Sequence, residues 1–179
     1  MTFMCLKNRS RFAAAVAAVA LVHGVAFAAS PFKSAPCEVP GMRELILQQV
    51  NAARSRGYNC GGQRFGSAQP VAWNGQLYSA ASGHSRDMAE NNYFSHNDRS
   101  GAQAETRVDK VGYKWTSVGE NIAAGQQYTA DNVVSGWLGS TAHCRNIMDA
   151  DFTEIGVACI ARPGTTYGSY WTMVLGRRT

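Results

Sequence analysis

Two long segments of the chain carry apolar residues at the spacing of an amphipathic helix. The first runs from about 44 to 56 and stops before Gly57, and the second follows Asn74, which can cap it, and runs to about 91. Recurrence at i, i+3, i+4 and i+7 places residues on one helix face. The predicted apolar stripes are Ile46, Val50 and Ala53 in the first helix, and Leu77, Ala80, Ala81, His84 and Met88 in the second.

The rest of the pattern mixes short helices with strands. The predicted elements are a loop over 58–69, a helix over 100–111, a strand over 115–123, a helix near 133–138 capped by Thr129 or Asp131, a helical turn over 143–148, and strands over 154–162 and 169–175. Apolar residues alternate with other positions in the strand that starts at 154. Helices before and between strands, without an internal repeat, indicate one α+β domain.

The N-terminus has the three parts of a secretory signal peptide. Basic residues lie between positions 7 and 11, an alanine-rich apolar run covers 12–22, and a small-residue site ends at Ala28. A membrane anchor is the alternative, but His23 and Gly24 interrupt the run, which is shorter than the roughly 20 residues of a membrane span. We therefore expect a signal peptide over 1–28, an N-terminal leader over 29–41 and a single domain over 42–179.

Cleavage after Ala28 changes the charge of the chain. The full sequence has 17 Lys and Arg against 12 Asp and Glu, a formal net charge of +5. Loss of the three basic residues of the signal peptide leaves a net charge of +2. Such a small surplus gives no reason to expect a nucleic-acid partner.

Four cysteines remain after cleavage, namely Cys37, Cys60, Cys144 and Cys159. An even number in a small exported domain predicts two disulfides, and the absence of a C-x₂-C spacing argues against a zinc–thiolate cluster. Three pairings are open. We favour Cys37–Cys60 and Cys144–Cys159, because each would close a short loop around one local unit.

Three histidines and one glutamate of the mature chain are candidates for chemistry. His84 lies on an apolar helix stripe and is interpreted as a core histidine with one hydrogen bond. His96 and His143 each lie where a predicted helix ends and a turn begins, so their rings can face a cleft. Glu120 lies among glycine and apolar residues and needs a partner if it is buried.

Two interpretations of these residues stay open. Two imidazoles and a carboxylate can bind Zn²⁺ with an open position for water, or the carboxylate can instead hold a ring N–H or a metal-bound water. Alternatively, each residue is structural in its own turn, because the long separations lack the specificity of a local H-E-x-x-H pair.

The same residues lie in a series of motifs whose order is specific. The chain resembles bacterial CAP (SCP) domains, relatives of the cysteine-rich secretory proteins, antigen 5 and plant pathogenesis-related proteins, from about 42 to 176. The motifs are Phe94-Ser95-His96, Gly112-Tyr113, Gly119-Glu120-Asn121-Ile122-Ala123, Trp137, Ser140 to His143, Asn146-Ile147-Met148, Phe152, Ile155-Gly156-Val157 and Tyr170-Trp171-Thr172.

The resemblance implies an α-β-α sandwich with a central antiparallel sheet between helices. It also implies a cleft with two histidines and two acids, of which His96, His143 and Glu120 match the family. The second acid is replaced by Ser140, and the usual glycine before the second histidine is Ala142. The serine puts metal affinity and any two-acid mechanism in doubt. Some members bind Zn²⁺ or other divalent ions in the cleft, some bind lipids elsewhere, and proteolysis has been suggested for a few.

The expected function is therefore that of a secreted or periplasmic binding protein. Its cleft of His96, Glu120, Ser140 and His143 would take a divalent metal such as Zn²⁺, held by His96 and His143, and a lipid, peptide or cell-surface ligand. The alternative is a metal-assisted hydrolase of protease type, in which Glu120 would act as the base on a metal-bound water.

Overall fold

The computed structural model describes residues 33–37 and 39–179. The predicted signal peptide and the first part of the predicted leader lie outside the described residues. Within the described part of the chain, no helix is long and apolar enough to cross a membrane.

A five-stranded sheet forms the centre of the fold. Its strands are β1 (Ala35–Pro36), β4 (Ala72–Trp73), β5 (Trp115–Ala124), β6 (Glu154–Ala161) and β7 (Ser169–Arg178). The order is β1-β6-β7-β5, with all of these pairs antiparallel, and β4 adds to β6 in parallel. β6 and β7 are buried along nearly their whole length, as expected for strands covered on both faces.

Helices cover the two faces of this sheet. Helices α1 (Met42–Arg56), α4 (Val133–Leu138) and α5 (Thr141–Met148) share one apolar core with one face of β6 and β7. Helices α2 (Gly75–Asn91) and α3 (Ala104–Lys110) pack on the other face. The prediction of an α+β, α-β-α sandwich is confirmed.

Local chemistry explains the position of α2. The side-chain oxygen of Asn74 accepts hydrogen bonds from the backbone N–H groups of Gln76 and Leu77 at 2.8 and 3.1 Å, which is the predicted N-cap. Gly156 on β6 lets the helix approach the sheet closely. A Cβ there would lie 2.0 Å from the backbone nitrogen of Tyr78, so a larger residue would push α2 away.

The favoured disulfide pairing is wrong. The disulfides are Cys37–Cys159 and Cys60–Cys144, which span 122 and 84 residues of sequence. β1 pairs with β6, and the backbone N–H of Cys37 donates to the carbonyl of Cys159 at 3.0 Å. Cys60 lies in a hairpin strand that contacts α5, where Cys144 is located. Long-range sheet and helix contacts, rather than loop length, decided the pairing.

Several predicted boundaries also differ from the structure. The segment predicted as a loop contains a hairpin, β2 (Tyr58–Cys60) with β3 (Gln63–Phe65), and part of the predicted leader forms β1. Neither proposed residue caps α4, since its N-cap position is Asn132. The start of α3 moves from 100 to 104, because Asp98 accepts backbone N–H groups and holds 98–102 in a turn.

Candidate functional site

Glu120 lies at the centre of a buried hydrogen-bonded group. It comes from β5, and only 4% of its side chain is exposed. Arg107 on α3 donates from Nη2 to Oε2 of Glu120 at 2.6 Å, and His96 donates from Nδ1 to Oε1 at 2.9 Å. Both carboxylate oxygens are thus engaged by charge-assisted or ring N–H donors.

The surroundings of Glu120 keep it ionised. Burial by itself would raise the pKa of this carboxyl, since it disfavours the charged form. The hydrogen bond from His96 and the charge of Arg107 outweigh burial, so the pKa of Glu120 lies below its ordinary value. The Glu120 carboxylate is therefore a fixed negative charge that two neighbours already compensate.

His96 connects this buried group to solvent. Its side chain is 53% exposed, while Nδ1 is held by the Glu120 carboxylate. A carboxylate acceptor on Nδ1 fixes the tautomer and leaves Nε2 outside the pair. Arg107 also donates to the carbonyl oxygen of His96 at 3.0 Å, so both the ring and the backbone are held in place.

His143 lies in the first turn of α5 and is half-buried. The disulfide of Cys144 with Cys60 holds this turn, and the carbonyl oxygen of His143 accepts a hydrogen bond from Asn121 Nδ2 at 3.0 Å. Burial, followed by the charge of His96, lowers the pKa of His143. The two histidines of the prediction are thus within electrostatic reach of each other, and His143 is neutral near pH 7.

Two asparagines join β5 to α5 behind the site. Asn146 Nδ2 donates to the carbonyl oxygen of Glu120 at 3.1 Å and to Oδ1 of Asn121 at 2.8 Å. Together with the bond from Asn121 to the backbone of His143, these contacts fix the helix against the strand. The relative position of Glu120 and His143 therefore rests on amide side chains rather than on loop conformation.

A cavity of about 220 Å³ opens beside His143, and we call it the cleft. Aromatic rings form much of its lining, and β5 and Ser140 complete it. Ser140 is the N-cap residue of α5, but its hydroxyl makes no capping hydrogen bond. A shallow groove adjoins the cleft at Ala124 and includes Gln126, Gln127 and Tyr167. The lining of the cleft is Phe94, Ile122, Ala123, Ala124, Tyr128, Gly136, Trp137, Ser140 and His143. Of the four residues predicted for the cleft, Ser140 and His143 line this cavity, whereas His96 and Glu120 are not among its lining residues.

The donor set does not fit a tightly held resident metal ion. Within residues 33–37 and 39–179, no group of three or more His, Cys, Asp or Glu side chains is placed to hold one. Glu120 uses both oxygens for Arg107 and His96, and Ser140 offers only a neutral hydroxyl. Two imidazoles alone remain, whereas zinc sites ordinarily have three or four protein ligands.

Arg107 is the site residue that sequence reasoning missed. On α3 it shares the buried stripe of Ala104 and Val108, at i, i+3 and i+4. A cation on an apolar helix face was the available signal, because such a residue needs a buried anion. His84 is buried as predicted, and its Nε2 donates one hydrogen bond to the carbonyl of Ser95 at 2.9 Å.

The chain belongs to the cysteine-rich secretory protein (CAP) family, whose model matches residues 47–175. Among curated proteins it is similar to protein YkwD of Bacillus subtilis strain 168, with 30% identity over 139 residues. That match covers 78% of this chain and 48% of YkwD, so the chain spans about half the length of that relative.

Solved structures agree on the fold. An extracellular protein containing an SCP domain from Bacillus anthracis str. Ames is 31% identical, with a TM-score of 0.60, and the match covers 77% of this chain and 41% of that one. An outer surface protein from Borrelia burgdorferi is 15% identical with a TM-score of 0.67, and the match covers 82% of this chain and 100% of that one. The second likeness concerns the fold alone.

Proposed function

We propose that this chain is an extracellular binding module whose cleft takes a peptide. The observation that carries the proposal is the composition of the cleft, where aromatic rings meet a half-buried imidazole and a hydroxyl at the edge of a rigid sheet. Apolar and aromatic surface with a few oriented polar groups is the usual composition of a ligand site. The anticipated secretion fits the two disulfides and the extracellular relative.

The charges around the cleft favour a ligand without strong charge. Glu120 is compensated by Arg107 and His96, and burial keeps His143 neutral. An apolar peptide side chain can enter between Phe94 and the other rings. The amides of the adjoining groove, Gln126 and Gln127, are exposed and can hydrogen-bond a peptide backbone.

His96, which is not among the lining residues of the cleft, has a separate part in this proposal. Glu120 and Arg107 act as positioning residues that hold His96, whose exposed ring can donate to or accept from a ligand through Nε2. A hydrolase would need Glu120 as a base. Its oxygens are already engaged and its pKa is lowered, so we favour binding over hydrolysis.

Selection of short peptides by display on the purified mature protein, followed by calorimetry, tests the proposal. Phe94→Ala should weaken a selected peptide by about tenfold or more, because exposed aromatic anchors dominate such interfaces. Tyr78→Ala is the matched control, since Tyr78 is the other large exposed apolar side chain of the described residues and lies outside the cleft.

Two results would contradict the proposal. Equal losses in Phe94→Ala and Tyr78→Ala would mean that the peptide binds elsewhere. Loss of binding in the presence of EDTA, with recovery on addition of Zn²⁺, would instead support the metal-dependent cleft anticipated from the family. The binding proposal without metal predicts unchanged affinity in EDTA.

A further inference from the structure

The cleft opens along the outer edge of β5, the last strand in the order of the sheet. Its lining comes from both helix layers, since Phe94 follows α2 whereas Gly136 and Trp137 belong to α4. The last three residues of β5, 122–124, complete that lining together with neighbouring side chains. A ligand in the cleft therefore lies beside the free side of a strand.

The hydrogen-bonding pattern of β5 shows which residues face this edge. Residues opposite each other in an antiparallel pair alternate between exchanging both backbone hydrogen bonds and exchanging none. Gly125, directly after β5, donates its N–H to the carbonyl of Ser169 on β7 at 3.0 Å. The register continues without a shift through Ala124 to Ile122. The N–H and C=O groups of Ala124 and Ile122 therefore point away from β7, toward the outer edge.

Two outward carbonyls of β5 are already hydrogen-bonded, which confirms this orientation. Asn146 Nδ2 donates to the carbonyl of Glu120 and Trp137 Nε1 to that of Ile122, each at 3.1 Å. Neither the N–H nor the C=O of Ala124 has a partner within residues 33–37 and 39–179. Of the outward residues that line the cleft, Ala124 alone offers both a donor and an acceptor.

Ala124 is also accessible. The residue is partly exposed, and it is the one residue shared by the linings of the cleft and the adjoining groove. Its methyl group packs against the core cluster of Met88 and Ile160 on the α2 side. The backbone at the edge is thus the part of Ala124 that remains to face a ligand.

The chemistry of this point matches the backbone of an extended peptide. Such a backbone carries an N–H donor and a C=O acceptor and adds to exposed sheet edges in many complexes. The uncharged surroundings match an apolar side chain on that peptide, because Glu120 is compensated and His143 is neutral. Phe94 and Tyr167, whose ring centres are 5.5 Å apart, extend the apolar surface from the cleft into the groove.

The length of the open edge favours a short peptide over a second copy of this chain. The carbonyls of Glu120 and Ile122 are taken on one side, and Gly125, with a φ of 134°, ends the strand on the other. Edge-to-edge pairing of two sheets needs a row of open backbone groups, and proteins commonly block such rows. Here one residue in the cleft has both groups open.

We infer that the cleft binds its peptide as an added strand, in which the peptide backbone hydrogen-bonds to both the N–H and the C=O of Ala124. The peptide residue opposite Ala124 then places its side chain on the α2 side of the sheet, beside Phe94, because paired residues share a face. This inference rests on the proposed peptide-binding function and adds the binding mode.

An N-methyl scan of a peptide selected by display tests the strand pairing. Each methyl group removes one backbone N–H, and calorimetry with the mature protein measures the affinity. One methylation should weaken binding by about tenfold or more, the factor that one net hydrogen bond supplies. The amides on either side should tolerate it, because successive N–H groups of an extended chain point in opposite directions.

The scan separates this inference from the proposed function. A peptide that is weakened by Phe94→Ala but tolerates N-methylation at every position would overturn the added strand and leave peptide binding intact. If no selected peptide depends on Phe94, both the proposed function and this inference are wrong.

Backbone amide exchange followed by NMR tests the location on the protein. Saturation with the selected peptide should slow exchange of the Ala124 amide by about tenfold or more. Val118 is the matched control, since its N–H points to the same edge but lies outside the cleft and the groove. Unchanged exchange at Ala124, or equal slowing at both amides, would overturn the assignment. Sedimentation of the free mature protein as a dimer, with Ala124 already protected, would assign the edge to a second copy and also overturn it.

Discussion

Two glutamates of the sheet, Glu120 on β5 and Glu154 at the start of β6, have similar surroundings but different consequences. Each accepts from an arginine and from a second side chain: Arg107 and His96 at Glu120, Arg178 and others at Glu154. Both carboxylates are largely covered, with 4% and 20% of their side chains exposed.

The difference lies in what the other partners are. Glu154 accepts from Asn74 Nδ2 at 2.9 Å and from the hydroxyl of Tyr113 at 2.7 Å, which joins the cap of α2 to the sheet. Burial and this hydrogen bond raise the pKa of Tyr113, so the phenol stays a donor. At Glu120 the partner is an exposed imidazole with a second nitrogen. One carboxylate thus fixes the fold, and the other also orients His96.

The largest expected effect concerns the Cys60–Cys144 disulfide. It tests whether the contacts between β5 and α5 beside Glu120 depend on that link. Cys60→Ala with Cys144→Ala removes the link that holds the turn of His143. The chain-entropy model predicts a loss of about 4.5 kcal/mol in the free energy of unfolding for a loop of this length. Urea denaturation measures the loss. Exchange of backbone amide hydrogens should increase more at Asn121 than at Glu154 and its partners Asn74 and Tyr113.

Cys37→Ala with Cys159→Ala is the matched control, because it opens a loop of comparable length at the edge strand β1. It should cost a similar free energy of unfolding, without selective loss of protection at Asn121. Equal loss of protection at Asn121 in both variants would contradict a local role for Cys60–Cys144.

The next effect concerns the arginine at the more deeply buried glutamate. Arg107→Met keeps an apolar chain of similar length but leaves Glu120 with His96 as its remaining partner. Loss of one partner of a buried ion pair should lower the free energy of unfolding by about 3 kcal/mol. Urea denaturation at pH 7 measures it. A loss below about 1 kcal/mol, the size usual for exposed pairs, would mean that Glu120 is hydrated in solution.

Periodicity and motifs predicted a large part of this molecule. The stripes of α1 and α2, the Asn74 cap and the late strands follow from local sequence, because each pattern is set within a few turns of chain. Motifs of the family also named His96, Glu120 and His143, of which the structure joins His96 to Glu120 by a hydrogen bond and brings His96 within electrostatic reach of His143. Their role as site residues stays a prediction.

The remaining features depend on contacts between distant segments. The disulfide pairing follows from β1 lying beside β6 and the β2–β3 hairpin lying beside α5, and neither neighbour is encoded locally. The ion pair between Arg107 and Glu120 was missed for the same reason. The apolar stripe of α3 nevertheless indicated that Arg107 is buried. The sequence left open whether Glu120 would face a metal site or hold a ring N–H, and the structure shows the hydrogen bond from His96 Nδ1 to Glu120 Oε1.

A third prediction compares the two carboxylates by their dependence on pH. The pKa of Glu120 is lowered in the folded protein, so its ionised form stabilises the fold above the unfolded-state value, and this stability is lost as pH falls through the folded-state pKa. Glu120→Gln should therefore be much less stable than the unmodified protein at pH 7, with the difference shrinking as pH falls from about 5 to about 2.

Urea denaturation across this range measures the difference, and Glu154→Gln is the matched loss of a partly buried carboxylate. His96 should also lose its fixed tautomer in Glu120→Gln alone, which ¹⁵N imidazole shifts report. If the two proteins instead differ in free energy of unfolding by the same amount at every pH, that result would contradict a lowered pKa of Glu120 in the folded protein.

The smallest effect is expected at the arginine of the other glutamate. Half of the Arg178 side chain is exposed, and its Nε lies 3.1 Å from Glu154 Oε2, with its guanidinium 4.7 Å from the centre of the Tyr113 ring. Exposed ion pairs contribute about 0–1 kcal/mol, and Asn74 and Tyr113 would still hold the carboxylate. Arg178→Met should therefore cost less than about 1 kcal/mol in urea denaturation at pH 7. A cost equal to that of Arg107→Met would remove the distinction between the two glutamates, because both would then depend on their arginine.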